Sequence, residues 1–215
     1  CIMKKKGDVF LYHQYKEGWI EAISGCMFAG KTEELIRRIH VLSFAKKRIK
    51  VFKPQVDNRY SETEIVSHAG MHIPCLVVKE AEEILEYVDE DDEVIAIDEA
   101  QFFDEEIVDI CEYLADLGKR VMIAGLDTDF RGEPFGVMPQ LLTKAEFVSK
   151  LTAVCARCGA PATRTQRLVN GKPAAFDDPV IMIGAKDSYE PRCRHCHEVM
   201  DRPRHYSLKK HEKEE

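Results

Sequence analysis

No stretch of this sequence approaches the ~18 consecutive apolar residues that a membrane-spanning helix needs, so no transmembrane segment is expected. The opening CIMKKKGDVF is basic but has no apolar core of the kind a secretion signal carries, and the expected compartment is the cytoplasm. Positive charge is not in excess either. Lysine and arginine number 31 against 38 aspartate and glutamate, a net charge of -7, which is the wrong balance for a protein that coats nucleic acid. A local basic pocket for a nucleotide is still compatible with it. The even spread of cysteines that marks a secreted disulfide framework is missing. Cys1, Cys26, Cys75 and Cys111 are scattered, while Cys155, Cys158, Cys193 and Cys196 form two CxxC pairs, a grouping that favours metal. What is present is an ordinary globular composition, 45% hydrophobic and 32% charged, over 215 residues: enough for one good core and a small appendage.

From Trp19 to about Leu151, apolar strands alternate with helical segments. WIEAIS (Trp19–Ser24) reads as a strand. The segment Thr32–Lys46 puts Leu35, Ile39 and Leu42 on one helical stripe. RIKVFK (Arg48–Lys53) is a second strand, ended by Pro54, and Glu80–Val88 is a short acidic helix. EVIAID (Glu93–Asp98) has the continuous apolar run of a strand buried on both faces. Ile107, Cys111, Leu114 and Leu117 mark a helix closed by Gly118, and RVMIAG (Arg120–Gly125) is a fourth strand. This alternation implies a mostly parallel sheet covered by helices, an α/β fold. The expected organisation is an N-terminal extension (1–18), an α/β nucleotide-binding domain (19–150), a small zinc-binding domain (151–201) and a charged tail (202–215).

The run Gly25, Cys26, Met27, Phe28, Ala29, Gly30, Lys31, Thr32 fits G-x-x-x-x-G-K-[ST], between a strand and a helix. In such a loop the glycines let backbone N–H groups converge on phosphate oxygens. Lys31 adds a point charge, and the Thr32 hydroxyl is available to Mg²⁺. The positive end of the following helix helps. VIAIDEAQFF supplies the second element: Asp98 ends a buried strand, where it can hold Mg²⁺ opposite Thr32. Glu99 beside it can accept a proton, from water in an ATPase or from a substrate hydroxyl in a kinase.

The CxxC pairs offer four thiolates for tetrahedral zinc, with no obvious open coordination position, so the metal is read as structural. His195 and His197 flank Cys196 as competing ligands; the x₂ spacing favours Cys196. The 34 residues between the pairs, Gly159 to Arg192, contain NGKP, a hairpin-turn signal. A clamped excursion of this length calls for a function. Val180–Cys193 reads as a strand-like lid whose backbone donors and acceptors face a flat polar ring, with Tyr189 closing one side.

Taken together, GCMFAGKTEELIRR, DEAQFF, GLDTDFRGEPFG and YEPRCRHCH resemble, in this order and spacing, the thymidine kinases of the cellular, zinc-containing type, over roughly Trp19 to Val199. The resemblance implies transfer of the γ-phosphate of ATP to the 5′-hydroxyl of thymidine, on a RecA-like P-loop domain plus a small zinc domain carrying a lasso loop. It implies Gly25 to Thr32 on the donor phosphates, Asp98 to Gln101 continuing that site around Mg²⁺, and Glu99 as general base. Asp57, Asn58 and Arg59 would reach the phosphates. Met27, Phe102, Leu126, Phe130 and Phe135 would form the apolar slot for the base, with Thr165 beside the thymine methyl. Val180, Ile181, Met182, Ile183 and Gly184 would read the pyrimidine through the main chain, and Tyr189 would complete the lid. A homotetramer inhibited by thymidine triphosphate is also implied. Cys26 and Ala29 depart from the Pro or Ser and the Ser more usual there. The expectation is little effect, with Cys26 a point of sensitivity to thiol reagents.

Two other classes compete. A RecA-like ATPase whose zinc knuckles bind nucleic acid is opposed by the acidic net charge; the zinc region carries Arg157, Arg164, Arg167 and Lys172 but few interleaved aromatics. A nucleotide-sensing regulator without turnover is opposed by the acid at Glu99.

Overall fold

The computed structural model describes residues 18–55, 64–66, 72–181 and 188–203. Asp57, Asn58, Arg59, Met182, Ile183 and Gly184, together with nearly all of both expected tails, lie outside the described residues.

In chain order the first half runs β1 (Trp19–Ser24), α1 (Lys31–Phe44), β2 (Ile49–Pro54), β3 (Glu64–Val66), β4 (His72–Pro74), β5 (Leu76–Val78), α2 (Glu83–Tyr87) and β6 (Val94–Ile97). A 3₁₀ turn (Ala100–Phe102), α3 (Glu106–Asp116), β7 (Arg120–Gly125), α4 (Met138–Lys144) and β8 (Phe147–Lys150) follow. Six of these strands form one sheet in the order β5-β2-β6-β7-β1-β8, and every pairing in it is parallel. One strand, β7, separates β1 from β6, so the loop after β1 and the acids after β6 share one sheet edge across it. This is the expected α/β class with a parallel sheet.

Alternation along each strand sends side chains to opposite faces. Ile20, Ile95, Ile97, Val121 and Ile123 meet Ile107, Cys111 and Leu114 of α3 on one side. Ile23, Ala96, Met122 and Ala124 meet Leu35, Ile36 and Ile39 of α1 on the other. With both faces covered, the central strands read as nearly continuous apolar runs.

Several boundaries differ from expectation for local reasons. Pro54 is the last residue of β2 rather than the first beyond it, since a strand's end residue need not donate to the ladder. Leu117 lies past the end of α3 and is exposed. The strands β5 and β8 were not anticipated: one is three residues long, the other a mostly exposed edge.

Beyond Lys150 the pattern becomes antiparallel. β9 (Ala153–Val154) pairs with β10 (Pro161–Ala162), and β11 (Arg164–Val169) lies between β12 (Lys172–Pro173) and β13 (Ser188–Arg192). The turn joining β11 to β12 is Asn170-Gly171, both at positive φ (51° and 78°), as a two-residue hairpin turn requires. The NGKP hairpin is therefore as expected, and the excursion between the cysteine pairs contains a small three-stranded sheet.

Candidate active site

The loop from Gly25 to Gly30 leaves β1 at its carboxyl end and delivers the chain into α1, which begins at Lys31. The Lys31 ammonium is tied back to the Cys26 carbonyl at 3.0 Å. Burial pulls it below the usual lysine range, while the carboxylates of Glu99 and Asp98 act the other way. One turn into the site, the Thr32 hydroxyl donates to Asp98 Oδ2 at 3.1 Å. Asp98 is buried at the end of β6; burial first, then the charge of Glu99, pushes its carboxyl up to about 7. A divalent cation at this hydroxyl–carboxylate pair would reverse that tendency by favouring the anion.

Glu99 stands at the left-handed backbone position φ 53°, ψ 38°, where a non-glycine residue is disfavoured by roughly 1–2 kcal/mol. Such local strain clusters where function fixes a side chain. Its amide donates to Asp98 Oδ1 at 3.0 Å, and its own carbonyl accepts from Phe102 N–H at 3.1 Å. Its carboxylate accepts from Gln101 Nε2 at 2.5 Å, while Gln101 Oε1 accepts the Leu126 N–H at 2.9 Å. Gln101 is itself only 3% exposed. One end of its amide is thus engaged by the Glu99 carboxylate and the other by the Leu126 main chain.

Around this corner lie the aromatic residues singled out for the base. Phe102 and Phe135 pack edge to face, centroids 5.5 Å apart, and Leu126 and Phe130 belong to the segment that follows β7. Met27, in the phosphate loop, donates its N–H to the Thr165 hydroxyl on β11 at 3.1 Å. Tyr189 is half-buried on β13, paired in register with Arg167. Val180 is half-buried and Ile181 half-exposed.

The sulfurs of Cys155, Cys158, Cys193 and Cys196 all lie within 4.8 Å of one another, and Cys158 and Cys193 approach to 3.6 Å. Four thiolates at the usual ~2.3 Å from zinc span tetrahedral edges of roughly 3.8 Å, so the cluster fits that ion. Burial opposes ionisation of Cys155, but backbone N–H groups around it prevail and draw it to about 6. Hydrogen bonding of its thiol to the Cys158 and Cys193 sulfurs pushes Cys196 up to about 12, a disparity that coordination removes by taking all four as thiolates. His197 is not a ligand; its ring nitrogen meets the Phe130 carbonyl at 2.8 Å.

Two features escaped the sequence reading. Cys26 is wholly buried among Ala153, Cys155, Ala162 and Cys193, its thiol directed at the Ala162 carbonyl, and burial raises its pKa. Sensitivity to thiol reagents is accordingly not expected of the folded protein. Arg167, counted above among the cations of the zinc region, is 0% exposed; it lies over the Phe130 ring at 5.2 Å and donates to the Pro179 carbonyl at 2.6 Å. The alternation of β11, which sends Thr165 and Arg167 to one face, was the available signal.

A phosphate loop opening a helix, an acid pair at the end of the strand one removed in the sheet, and the parallel sheet itself together define a P-loop nucleotide-binding enzyme, here joined to a four-cysteine module. The family model described as thymidine kinase matches residues 18–197. The chain belongs to the thymidine kinase family. It is an ATP-dependent nucleoside kinase whose reaction is the phosphorylation of thymidine, with Mg²⁺ accompanying ATP and structural zinc suited to the cysteines.

Proposed function

We propose that the residues converging on the carboxyl edge of the sheet divide the reaction as follows. Gly25 to Thr32 cradle the donor triphosphate through backbone N–H groups, with Lys31 on its outer phosphates. Thr32 and Asp98 hold Mg²⁺, which when bound neutralises charge on the transferring group. Glu99 takes the proton from the 5′-hydroxyl of thymidine. Asp57, Asn58 and Arg59 reach the phosphates from a segment outside the described residues.

The base enters the slot between Met27, Phe102, Leu126, Phe130 and Phe135, with Thr165 beside its methyl group. Val180 to Gly184 read its polar edge through the main chain and Tyr189 closes over it. An apolar slot gains about 1–3 kcal/mol from a methyl group, and backbone polar groups reject bases that leave them unpaired. Zinc on Cys155, Cys158, Cys193 and Cys196 ties down the base of this lid.

The observation that carries the reading is the junction of Thr32 with Asp98 at 3.1 Å, with Glu99 next along the chain in a left-handed conformation. The start of the helix after the glycine loop and the acids after β6 are thereby in direct contact, which supports the reading. We assign a cytoplasmic homotetramer with feedback inhibition by thymidine triphosphate to the same proposal. The exposed Phe44 on α1 and Phe147 and Val148 on the edge strand β8 offer apolar surface for self-association.

Incubation with ATP, Mg²⁺ and a panel of nucleosides, followed by identification of the product, tests the assignment. Thymidine monophosphate should dominate. ATP hydrolysis that ignores nucleosides and is stimulated by single-stranded DNA would overturn it.

A further inference from the structure

We infer that Gln101 is a positioning residue that aims the Glu99 carboxylate, tying the general base to the wall of the base slot. The inference rests on the reading of Glu99 given above.

The bonding of Gln101 leaves little freedom. The Leu126 N–H can only donate, so the amide oxygen must face it, at 2.9 Å. The amide nitrogen is then obliged to face Glu99 Oε2, at 2.5 Å, where a carboxylate can only accept. Orientation is fixed by the partners and not by a choice between two similar atoms.

The surroundings are cut to fit. A Cβ on Gly125 would lie 2.8 Å from Gln101 Oε1 and 2.6 Å from Met138 Sδ. A Cβ on Gly136 would lie 2.2 Å from the Gln101 carbonyl oxygen. Gly125, ending β7, thus leaves room for the Gln101 amide, and Gly136, next after Phe135, leaves room for the Gln101 main chain.

A clamp has a physical task here. The Glu99 carboxylate lies close enough to the Lys31 ammonium for the two charges to attract each other. An unrestrained glutamate would swing toward that cation and form an ion pair in place of receiving a hydroxyl proton. The donor on Gln101 holds one carboxylate oxygen back. Because the other end of the amide grips the main chain of Leu126, which lines the base slot beside Phe102 and Phe135, the base is aimed relative to the acceptor nucleoside and not to the phosphates.

A double-mutant cycle on the zinc-loaded enzyme separates this from a phosphate-binding or merely structural role. Gln101→Met removes both hydrogen bonds at similar volume; Gln101→Glu keeps the acceptor for Leu126 and sets an anion against Glu99. Each should lower kcat about ten- to a hundredfold, with KM for ATP changed less than about threefold. In the Glu99→Gln background neither should lower kcat further. A raised KM for ATP at unchanged kcat would make Gln101 a phosphate ligand and overturn the inference. Losses that multiply in full in the double variants would overturn it too, as those of a structural residue. If Glu99→Gln alone keeps the wild-type kcat, the reading of Glu99 as base fails, and that result is distinct from failure of the clamp. Melting temperatures within a few degrees of wild type certify each variant, and Gln101→Asn, too short to hold both ends, substitutes for any that does not fold.

Discussion

The donor half and the zinc half of this molecule keep their geometry by different means. Around the phosphate loop, strands are packed from both sides by large fully buried side chains such as Ile23, Leu35, Ile97 and Leu114. The cluster of the zinc half is Cys26, Ala153, Cys155, Ala162 and Cys193, small side chains and sulfurs only. So little apolar surface does not hold a fold in place, and coordination of four thiolates supplies what packing does not. The halves meet at Cys26, whose backbone belongs to the phosphate loop and whose thiol belongs to the zinc cluster. Packing therefore holds the phosphate loop; in the reading proposed above, metal holds the base of the segment that closes over the nucleoside.

The comparison can be broken at three points. The largest effect is expected at Lys31→Ala, which removes the cradle's point charge without touching either core. Turnover should fall about 10³-fold in a phosphoryl-transfer assay, and near-normal turnover would remove the phosphate loop from the chemistry. Chelation of the metal comes next. KM for thymidine should rise about tenfold while far-UV circular dichroism still reports a folded α/β half, because the lid loosens before the sheet melts. Loss of the sheet at the same chelator concentration would show that the halves are not separately held. Smallest for catalysis is Leu114→Ala, in the core away from the site. It should cost roughly 2–5 kcal/mol in urea unfolding with KM for thymidine unchanged. A raised KM there would mean that core packing, too, governs the lid.

What was legible in the sequence follows the same division. Period and punctuation revealed β1, α1, β6, α3 and β7, because strands buried on both faces and amphipathic helices write their burial into local composition. The edge strands β5 and β8 left no such trace, since a short or exposed strand needs no apolar run. The phosphate loop, Asp98, Glu99 and the cysteine pairs were readable because each chemistry demands fixed residue types at fixed spacing. The thiol of Cys26 under Ala162 and the guanidinium of Arg167 over Phe130 were not. Those contacts join residues distant in sequence, and only the assembled fold brings them together. Gln101 was noticed for its motif, but its hydrogen bonds to Glu99 and to the Leu126 main chain were not legible, as a motif records position and not the direction of a side chain.

The central claim is that in the proposed reaction Glu99 takes the hydroxyl proton, while Lys31 and the Mg²⁺ held by Thr32 and Asp98 act on the phosphates. Steady-state kinetics of Glu99→Gln measure it most directly, as the substitution keeps shape and removes the base. The account predicts that kcat falls ~10²-fold or more while KM for ATP and for thymidine each stay within about threefold. An unchanged kcat would contradict it.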